Sequence, residues 1–478
     1  MGTKDIAINY IEENKDKFID VSHKIWGYAE LSLQEYKSAK LYIEKFREDG
    51  WDVEENLDGI ETCFKASYGN GHPIIGILGE FDALSGLSQV GASPVREELV
   101  PGGTGHGCGH SMLGAGSMAA AYGIRKYLEE TGNEGTIIYF GCPGEEGGAS
   151  KAFLARDGYW KFLDSAITWH PGVLNEVVSG SSNSCIQKEY TFKGIAAHAS
   201  GAPHLGRSAL DAVQIMNIGV EFLREHMDPT ARIHYAILDA GGVSPNVVQP
   251  IAKVLYMVRS NKVRDCIALQ KRVDKIAEAA AMMTETELSV RFIDGLANLV
   301  SNKVLEQVAF NNLKDVGVPE YTEEEYSFAK ELDGNVENRK SGLPGDINPE
   351  DDCFEYVDEI SEHGNKPLND FIMPYIHKTG SRPGSTDVGD VSWLTPTVQV
   401  HTACFVAHAP GHSWQNVSCG MSTIGDKGLI QAAKVLSGTA IDLFENPEII
   451  SKAKEEFDRK TKEGFLSPVP EDAVPTII

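Results

Sequence analysis

Residues 5–49 carry apolar side chains at mixed three- and four-residue steps, among them Ile6, Tyr10, Ile11, Phe18, Val21 and Ile25. That spacing predicts amphipathic helices. The pattern then changes to short apolar runs, PIIGILGEFDAL (73–84), GTIIYFGCPGEE (135–146) and DSAITWHP (164–171). Such runs read as buried strands of a parallel sheet. Between the first two lies MLGAGSMAAAYGIRKYLEETG, a predicted helix ending at Gly132. Strands alternating with helices predict an α/β fold, a mostly parallel sheet flanked by helices and joined by right-handed crossovers.

From about residue 186 the texture shifts again. IQKEYTFKG alternates as a half-exposed strand does, SALDAVQIMNIGVEFLREH is amphipathic, and ARIHYAILDAGG and AKVLYMVRS read as two further strands. A second helix, RDCIALQKRVDKIAEAAAMMTETE, and a closing strand, LSVRFIDG, complete a βαββαβ order. That order predicts a ferredoxin-like α+β domain over 186–298, inserted into a larger domain made of 1–185 and 299–478. The larger domain regains a strand at VQVHTACFVAHAP (398–410) and a packing helix at GLIQAAKVLSGTAIDLF. The stretch 318–386 is acidic, with Asp346, Glu350, Asp351, Asp352, Glu355, Asp358, Glu359 and Glu362, and reads as a loop-rich, solvated surface insertion.

A chain of 478 residues suits two domains, because single cores seldom grow beyond about 250–300 residues. Its 42% hydrophobic and 23% charged content is that of a soluble globular protein. The net charge of −26, with no run of Lys or Arg, argues against nucleic acid or an anionic membrane as partner. No apolar run reaches the roughly 18 residues of a membrane span. The N-terminus is charged from Lys4 with no apolar core behind it, and Ile6 stands where a myristoylation motif wants Ser or Thr. Eight scattered cysteines fit reduced thiols, so a cytoplasmic location is expected.

Ligand-type residues gather at the ends of the apolar runs. Asp82 ends the first, Glu145 and Glu146 the second, His170 the third; Cys108 and His110 (GHGCGH) open the following helix, and His412 (APGHSW) lies beyond the late strand. Sites in open α/β sheets form outside the carboxyl ends of the strands, so these residues predict one metal site. Two adjacent glutamates usually mark a solvated charge run, but here Gly and Pro flank them at a strand mouth, where packed like charges need a cation. Two divalent ions can hold a water, lower its pKa and polarise a carbonyl. One carboxylate must then stay off the metal to move the proton, and a Glu-Glu pair supplies one of each. The mixed Cys/His/Glu set suits Zn²⁺, with Mn²⁺ and Co²⁺ as alternatives. The other cysteines (Cys63, Cys142, Cys185, Cys266, Cys353, Cys404, Cys419) read as small buried hydrophobes. His23, His72, His226, His234, His363, His377 and His401 read as hydrogen-bonded residues, and His106 and His408 are unassigned.

In their order along the chain, GEFDALSGL, GHGCGHSMLG, CPGEEGG, TWHP, KGIAAHAS, GGVSPNVV and STDVGDVSW resemble the aminoacylase/carboxypeptidase family of metal-dependent amidohydrolases. The resemblance spans nearly the whole chain. It implies Cys108, His110, Glu146, His170 and His412 as ligands of two metal ions, Glu145 as general base and acid, and Asp82 as an orienting group. It further implies that the inserted domain is a lid and dimerisation domain. His198 would stabilise the oxyanion, in relatives often from across the dimer interface, and Asn246 and Arg259 would bind the substrate's carboxylate. The implied substrate is an N-acyl amino acid, p-aminobenzoyl-glutamate first, with indole-acetyl-aspartate or a dipeptide as alternatives. A homodimer or a heterodimer with a homologous chain is expected, and a non-catalytic ligand-binding component of a larger assembly is the alternative of another class. The chain departs from the wider pattern at Glu80, where relatives often have His, and at Ser111 and Leu113, which follow Cys-Gly-His in place of Asp and His.

Overall fold

The computed structural model describes residues 2–337, 344 and 356–477. Three helices open the chain, α1 (Thr3–Glu13), α2 (Lys15–Tyr28) and α3 (Tyr36–Glu48), dividing the first apolar-periodic stretch at Asn14 and Ala29. The first sheet is built from β1 (Asp52–Glu55), β2 (Phe64–Asn70), β3 (Ile74–Glu80), β4 (Gly135–Cys142), β5 (Ser165–Gly172), β6 (Glu176–Val177) and β13 (Thr397–Ala403). Their spatial order is β1-β2-β4-β3-β5-β13-β6. The four central strands run parallel, and β1, β2 and β6 add antiparallel edges. Sequence periodicity missed those edges because β1 is short and polar and β6 has only two residues.

Burial explains the central strands. Ile75, Ile77 and Leu78 of β3 are wholly buried, as expected where both faces of a parallel sheet are covered. One cover is α4 (His110–Thr131), buried along almost its whole length and closed at Gly132 in the left-handed conformation. Small residues let it approach the sheet: a Cβ at Gly116 would come 2.6 Å from the Trp169 ring. Helix α5 (Ser150–Arg156) lies beside α11 (Val388–Ser392), and α13 (Thr423–Glu445) packs on α1 and α4.

The second sheet has the order β11-β8-β10-β9 and is antiparallel throughout: β8 (Ser184–Lys193), β9 (Arg232–Asp239), β10 (Ile251–Ser260) and β11 (Glu287–Leu296). Helices α6 (Ala209–Arg224) and α7 (Val263–Thr284) complete the ferredoxin-like order and share a core with Tyr190, Val254 and Tyr256. Strand β10 alternates buried and half-buried residues along its full length, the pattern of a sheet with one covered face. The chain enters and leaves this sheet as a laced pair: Ser184 Oγ donates to the Leu296 carbonyl (2.7 Å) and Leu299 N–H to Ser182 Oγ (3.0 Å). A two-residue parallel pairing of β7 (Ser181–Ser182) with β12 (Ser381–Arg382) lies alongside.

Two expectations change. The late strand stops at Ala403, and the apolar FVAHAP after it is loop. Within 318–386, which reads as loop-rich, Glu323–Gly334 forms a helix, α9. Thr322 and Glu325 make a capping box there, three acidic residues sit in the first turn, and Ala329 and Leu332 are buried. Charge count concealed a well-capped helix. Val357–Ser361 adds one short turn, α10, while Asp346, Glu350, Asp351, Asp352, Glu355 and Cys353 lie outside the described residues. The remaining helices are α8 (Lys303–Val316), α12 (Trp414–Cys419) and α14 (Pro447–Lys460). Among the described residues no helix is long and apolar enough to cross a membrane.

Candidate metal centre

The parallel strands deliver their ends to one rim. Just past β3, Asp82 is fully buried and accepts three hydrogen bonds: from Ser32 Oγ (2.7 Å), from the Glu146 N–H (2.9 Å) and from His110 Nδ1 (2.8 Å). Burial raises the Asp82 carboxyl, but His110 and these donors outweigh it and bring it down to about 2. An ionised Asp82 accepts from His110 Nδ1; burial lowers the His110 ring, but Cys108 and Asp82 outweigh it and push it well above its usual range. Asp82 thus orients His110, Glu146 and Ser32 at once.

His110 is the first residue of α4, and Gly109 before it sits at φ +83 as the helix N-cap. A Cβ at Gly109 would meet the Phe405 ring at 2.8 Å and Pro171 at 3.0 Å, so glycine both makes the turn and clears the space. The same turn brings Cys108 Sγ to 3.3 Å from His170 Nε2. His170 Nδ1 lies 2.7 Å from the Pro171 carbonyl, which can only accept, so Nε2 is the nitrogen that faces Cys108. Burial and the neighbouring His110 hold the His170 ring down to about 3, neutral as a ligand must be.

After β4 the chain turns through Glu145 and Glu146. Glu146 Oε1 lies 3.5 Å from Nε2 of His412, a residue that adopts φ +55. A non-glycine residue in that region is strained by roughly 1–3 kcal/mol, which is common where a ligand is being aimed. Burial, then Glu80 and Glu146, push the Glu145 carboxyl well above its usual range. Burial and Glu146 likewise push the Cys108 thiol up. The ligand atoms fall into three groups able to hold an ion: Cys108, His110 and His170; Cys108, Glu146 and His412; and Glu80, His110 and Glu145.

The residues fit a metal. His110 Nε2 and Glu146 Oε1 are buried with no hydrogen-bond partner, a cost of about 1–3 kcal/mol each that a cation would remove. Thiolate, imidazole and carboxylate together are the donors of zinc-like ions. The structure therefore brings together Asp82, Cys108, His110, Glu145, Glu146, His170 and His412. It places three other candidates elsewhere. His198 and Asn246 are exposed and lie side by side: His198 bridges to Val247, and the Ala199 N–H donates to the Asn246 carbonyl (3.0 Å). Neither bonds to the cluster. Arg259, half-buried on β10, donates to Ser385 Oγ (2.8 Å), on the segment that precedes α11.

Other histidines take structural roles. His106 is buried with Nε2 3.1 Å from the Ile25 carbonyl, and His408 is bound to Asp333 (2.9 Å). His401 is held by Glu176 (3.1 Å), although its ring stands edge-on to His170 with centroids 6.0 Å apart. Sequence reasoning missed Lys151 and Asp387, which reach the cluster through Glu80. Six of the eight cysteines are buried thiols, and none of the seven described is in a disulfide. A cavity of about 580 Å³ lined by α1, α2 and α13 contains none of these residues.

Residues 76–414 match peptidase family M20/M25/M40. The chain belongs to this family. It is accordingly a hydrolase of amide bonds. Across 472 residues it is 38% identical to one component chain of the p-aminobenzoyl-glutamate hydrolase of Escherichia coli (strain K12), covering 98% of this chain and 97% of that protein. It is 25% identical to the Xaa-Arg dipeptidase of Mus musculus, over 96% of this chain and 93% of that one. Among solved structures, it resembles an aminobenzoyl-glutamate utilization protein from Klebsiella pneumoniae (TM-score 0.59, 14% identity, 91% of this chain and 97% of that one). It also resembles a dinuclear metal-binding M20 peptidase from Bacillus subtilis (TM-score 0.56, 15% identity, 91% and 99%). These two share the fold.

Proposed function

We propose that this chain is a two-metal amidohydrolase that cleaves p-aminobenzoyl-glutamate to p-aminobenzoate and glutamate. The observation that carries the reading is the pair of ligand triads sharing Cys108, with Glu145 beside them. Cys108, His110 and His170 would hold one ion; Cys108, Glu146 and His412 the other. Bound divalent ions supply Lewis acidity, lowering the pKa of water and polarising the scissile carbonyl. Zn²⁺ suits the donors, and Mn²⁺ or Co²⁺ can take the same set.

Glu145 does the proton work. Burial and the two acids beside it raise the affinity of its carboxyl for a proton. It takes the proton of the attacking water and passes it to the leaving nitrogen. Asp82 keeps His110 in the tautomer that offers Nε2. Arg259 supplies a guanidinium fork for the glutamate carboxylate, with Asn246 as a second donor. His198 donates to the oxyanion.

Because His198 and Asn246 are exposed and away from their own cluster, they serve the metal centre of a second protomer. This supports residues 186–298 as a lid and dimerisation domain set into a catalytic domain of 1–185 and 299–478. Its edge strand β9 exposes Tyr235, Ile237 and Leu238, and α6 exposes Ile218 and Phe222, an apolar surface that a partner would cover. Two relatives carry the names of two different component chains of p-aminobenzoyl-glutamate hydrolase, which supports either a homodimer or a homologous partner chain. The free thiols suit the cytoplasm.

The test is glutamate release from p-aminobenzoyl-glutamate by the metal-stripped, purified chain, with Mn²⁺, Zn²⁺ or Co²⁺ returned separately. Metal-dependent release is expected. Release from a dipeptide or indole-acetyl-aspartate and not from p-aminobenzoyl-glutamate would replace the substrate. Metal binding without turnover of any of them would favour a ligand-binding component.

A further inference from the structure

Cys108 and His412, grouped with Glu146 as one set of donors, come from separate loops. The loop of Cys108 is anchored on its own account: His106 Nε2 lies 3.1 Å from the Ile25 carbonyl, the Gly107 N–H donates to the Gly105 carbonyl (2.9 Å), and the Gly109 N–H to the His106 carbonyl (3.1 Å). The loop of His412 is not. Its side chain is 56% exposed and its backbone sits at φ +55, and among the described residues no backbone hydrogen bond reaches Gly411 or His412. A residue in that strained region stays there only when its surroundings hold it.

Asn416 bonds to both loops. It is buried on the first turn of α12, where Ser413 caps the helix and accepts the Asn416 backbone N–H at 3.4 Å. Its side-chain Nδ2 donates to the Gly107 carbonyl (3.0 Å), next to Cys108, and to the Pro410 carbonyl (3.3 Å), two residues before His412. Both partners can only accept, which turns the NH₂ of the amide towards them and leaves Oδ1 buried without a partner. Only the two donors are in use. The loops touch at this point: a Cβ on Gly107 would stand 3.4 Å from the His412 Cα and carbonyl carbon. One nitrogen thus spans the seam between two ligand-bearing loops.

We propose that Asn416 is a positioning residue for the metal centre, its amide clasping the His412 loop to the Cys108 loop and so setting the separation of the donors Cys108, Glu146 and His412. Those donor atoms lie within 4.8 Å of one another. Metal–donor distances tolerate only about 0.2 Å, so a small drift of the loop removes His412 from the set. The set Cys108, His110 and His170 does not depend on the clasp, because the start of α4 and the end of β5 carry it. Ser418 supplies a comparison on the same helix. Its Oγ donates to the Ser93 carbonyl (2.6 Å) and accepts the Ser93 N–H (2.9 Å), tying α12 to a loop that bears no ligand.

The inference rests on the two-metal reading, and calorimetric titration of the metal-free protein with Mn²⁺ separates the two. The parent is expected to bind two ions. Fewer would overturn the two-metal reading and the inference with it, and that is seen before any variant is made. Asn416→Asp keeps the size of the side chain and sets a carboxylate against the two carbonyl oxygens. It is expected to bind one ion as the parent does and the other about 10–100-fold more weakly. Asn416→Leu, which removes the donors without adding charge, should show the same split and carries the test if the Asp variant does not fold. Ser418→Ala should leave both affinities at the parent values. Parent affinities for both ions in either folded Asn416 variant would overturn the proposal. Equal weakening of both ions, or the same loss in Ser418→Ala, would mark a general loosening of α12 and overturn it too.

Discussion

The rim of the first sheet and the tip of the second are built in opposite ways. At the rim, Asp82 and His110 are buried, Glu146 and His170 are half-buried, and each is tied in by a hydrogen bond. At the tip, His198 and Asn246 are exposed, and backbone pairing alone joins their loops. A buried, cross-bonded cluster is organised before anything binds; an exposed pair is completed by what covers it. On the proposed reading, the rim is the part of catalysis one chain would carry and the tip the part that would need a neighbour.

The largest effect should come from the rim. Glu145→Gln should cut turnover by about 10²–10⁴-fold, with both ions still bound, as steady-state kinetics and metal analysis would show. At the tip, His198→Ala should cost about 10²–10³-fold in kcat with metal content unchanged. Mixing the two variants in one dimer sharpens the contrast. If His198 serves the neighbouring centre, the mixture recovers activity that neither protein has alone; if it serves its own, the mixture stays inactive.

Arg259→Ala lies between the two regions. Loss of its carboxylate contact should raise KM by roughly tenfold and spare kcat, and a fall in kcat alone would assign the arginine elsewhere. The smallest effect concerns Asp294 on β11, which burial raises to about 7 against the pull of Arg259. A carboxyl raised in the fold contributes stability below its unfolded value of about 3.9 and loses it as pH climbs towards 7. Asp294→Asn should therefore raise the melting temperature by about 1–3 °C at pH 8 and change little at pH 4.

Much of the rim was legible because its signals are local. Glu145 and Glu146 between glycines, and Cys108 and His110 in GHGCGH, advertise a strand mouth and a tight helix start. Lys151 was not legible: a lysine in a short helix reads as solvated, and only the fold reveals that Glu80 and Asp387 enclose it. Asp82 was legible as a member of the site, but its three donors come from residues 32, 110 and 146, which no spacing rule links. The location of His198 and Asn246 depends on how far the second sheet carries them, which a βαββαβ pattern leaves open. The helix at Glu323–Gly334 was hidden by counting charges, although its Thr-x-x-Glu start was present.

Sharing Cys108 between both triads has a consequence for loading. Its thiol is pushed up by burial, so on the proposed reading the first ion to arrive would displace a proton and the second would meet sulfur already ionised. On the proposed two-ion reading, protonating that one sulfur would withdraw a donor from each ion, so acid would weaken both together.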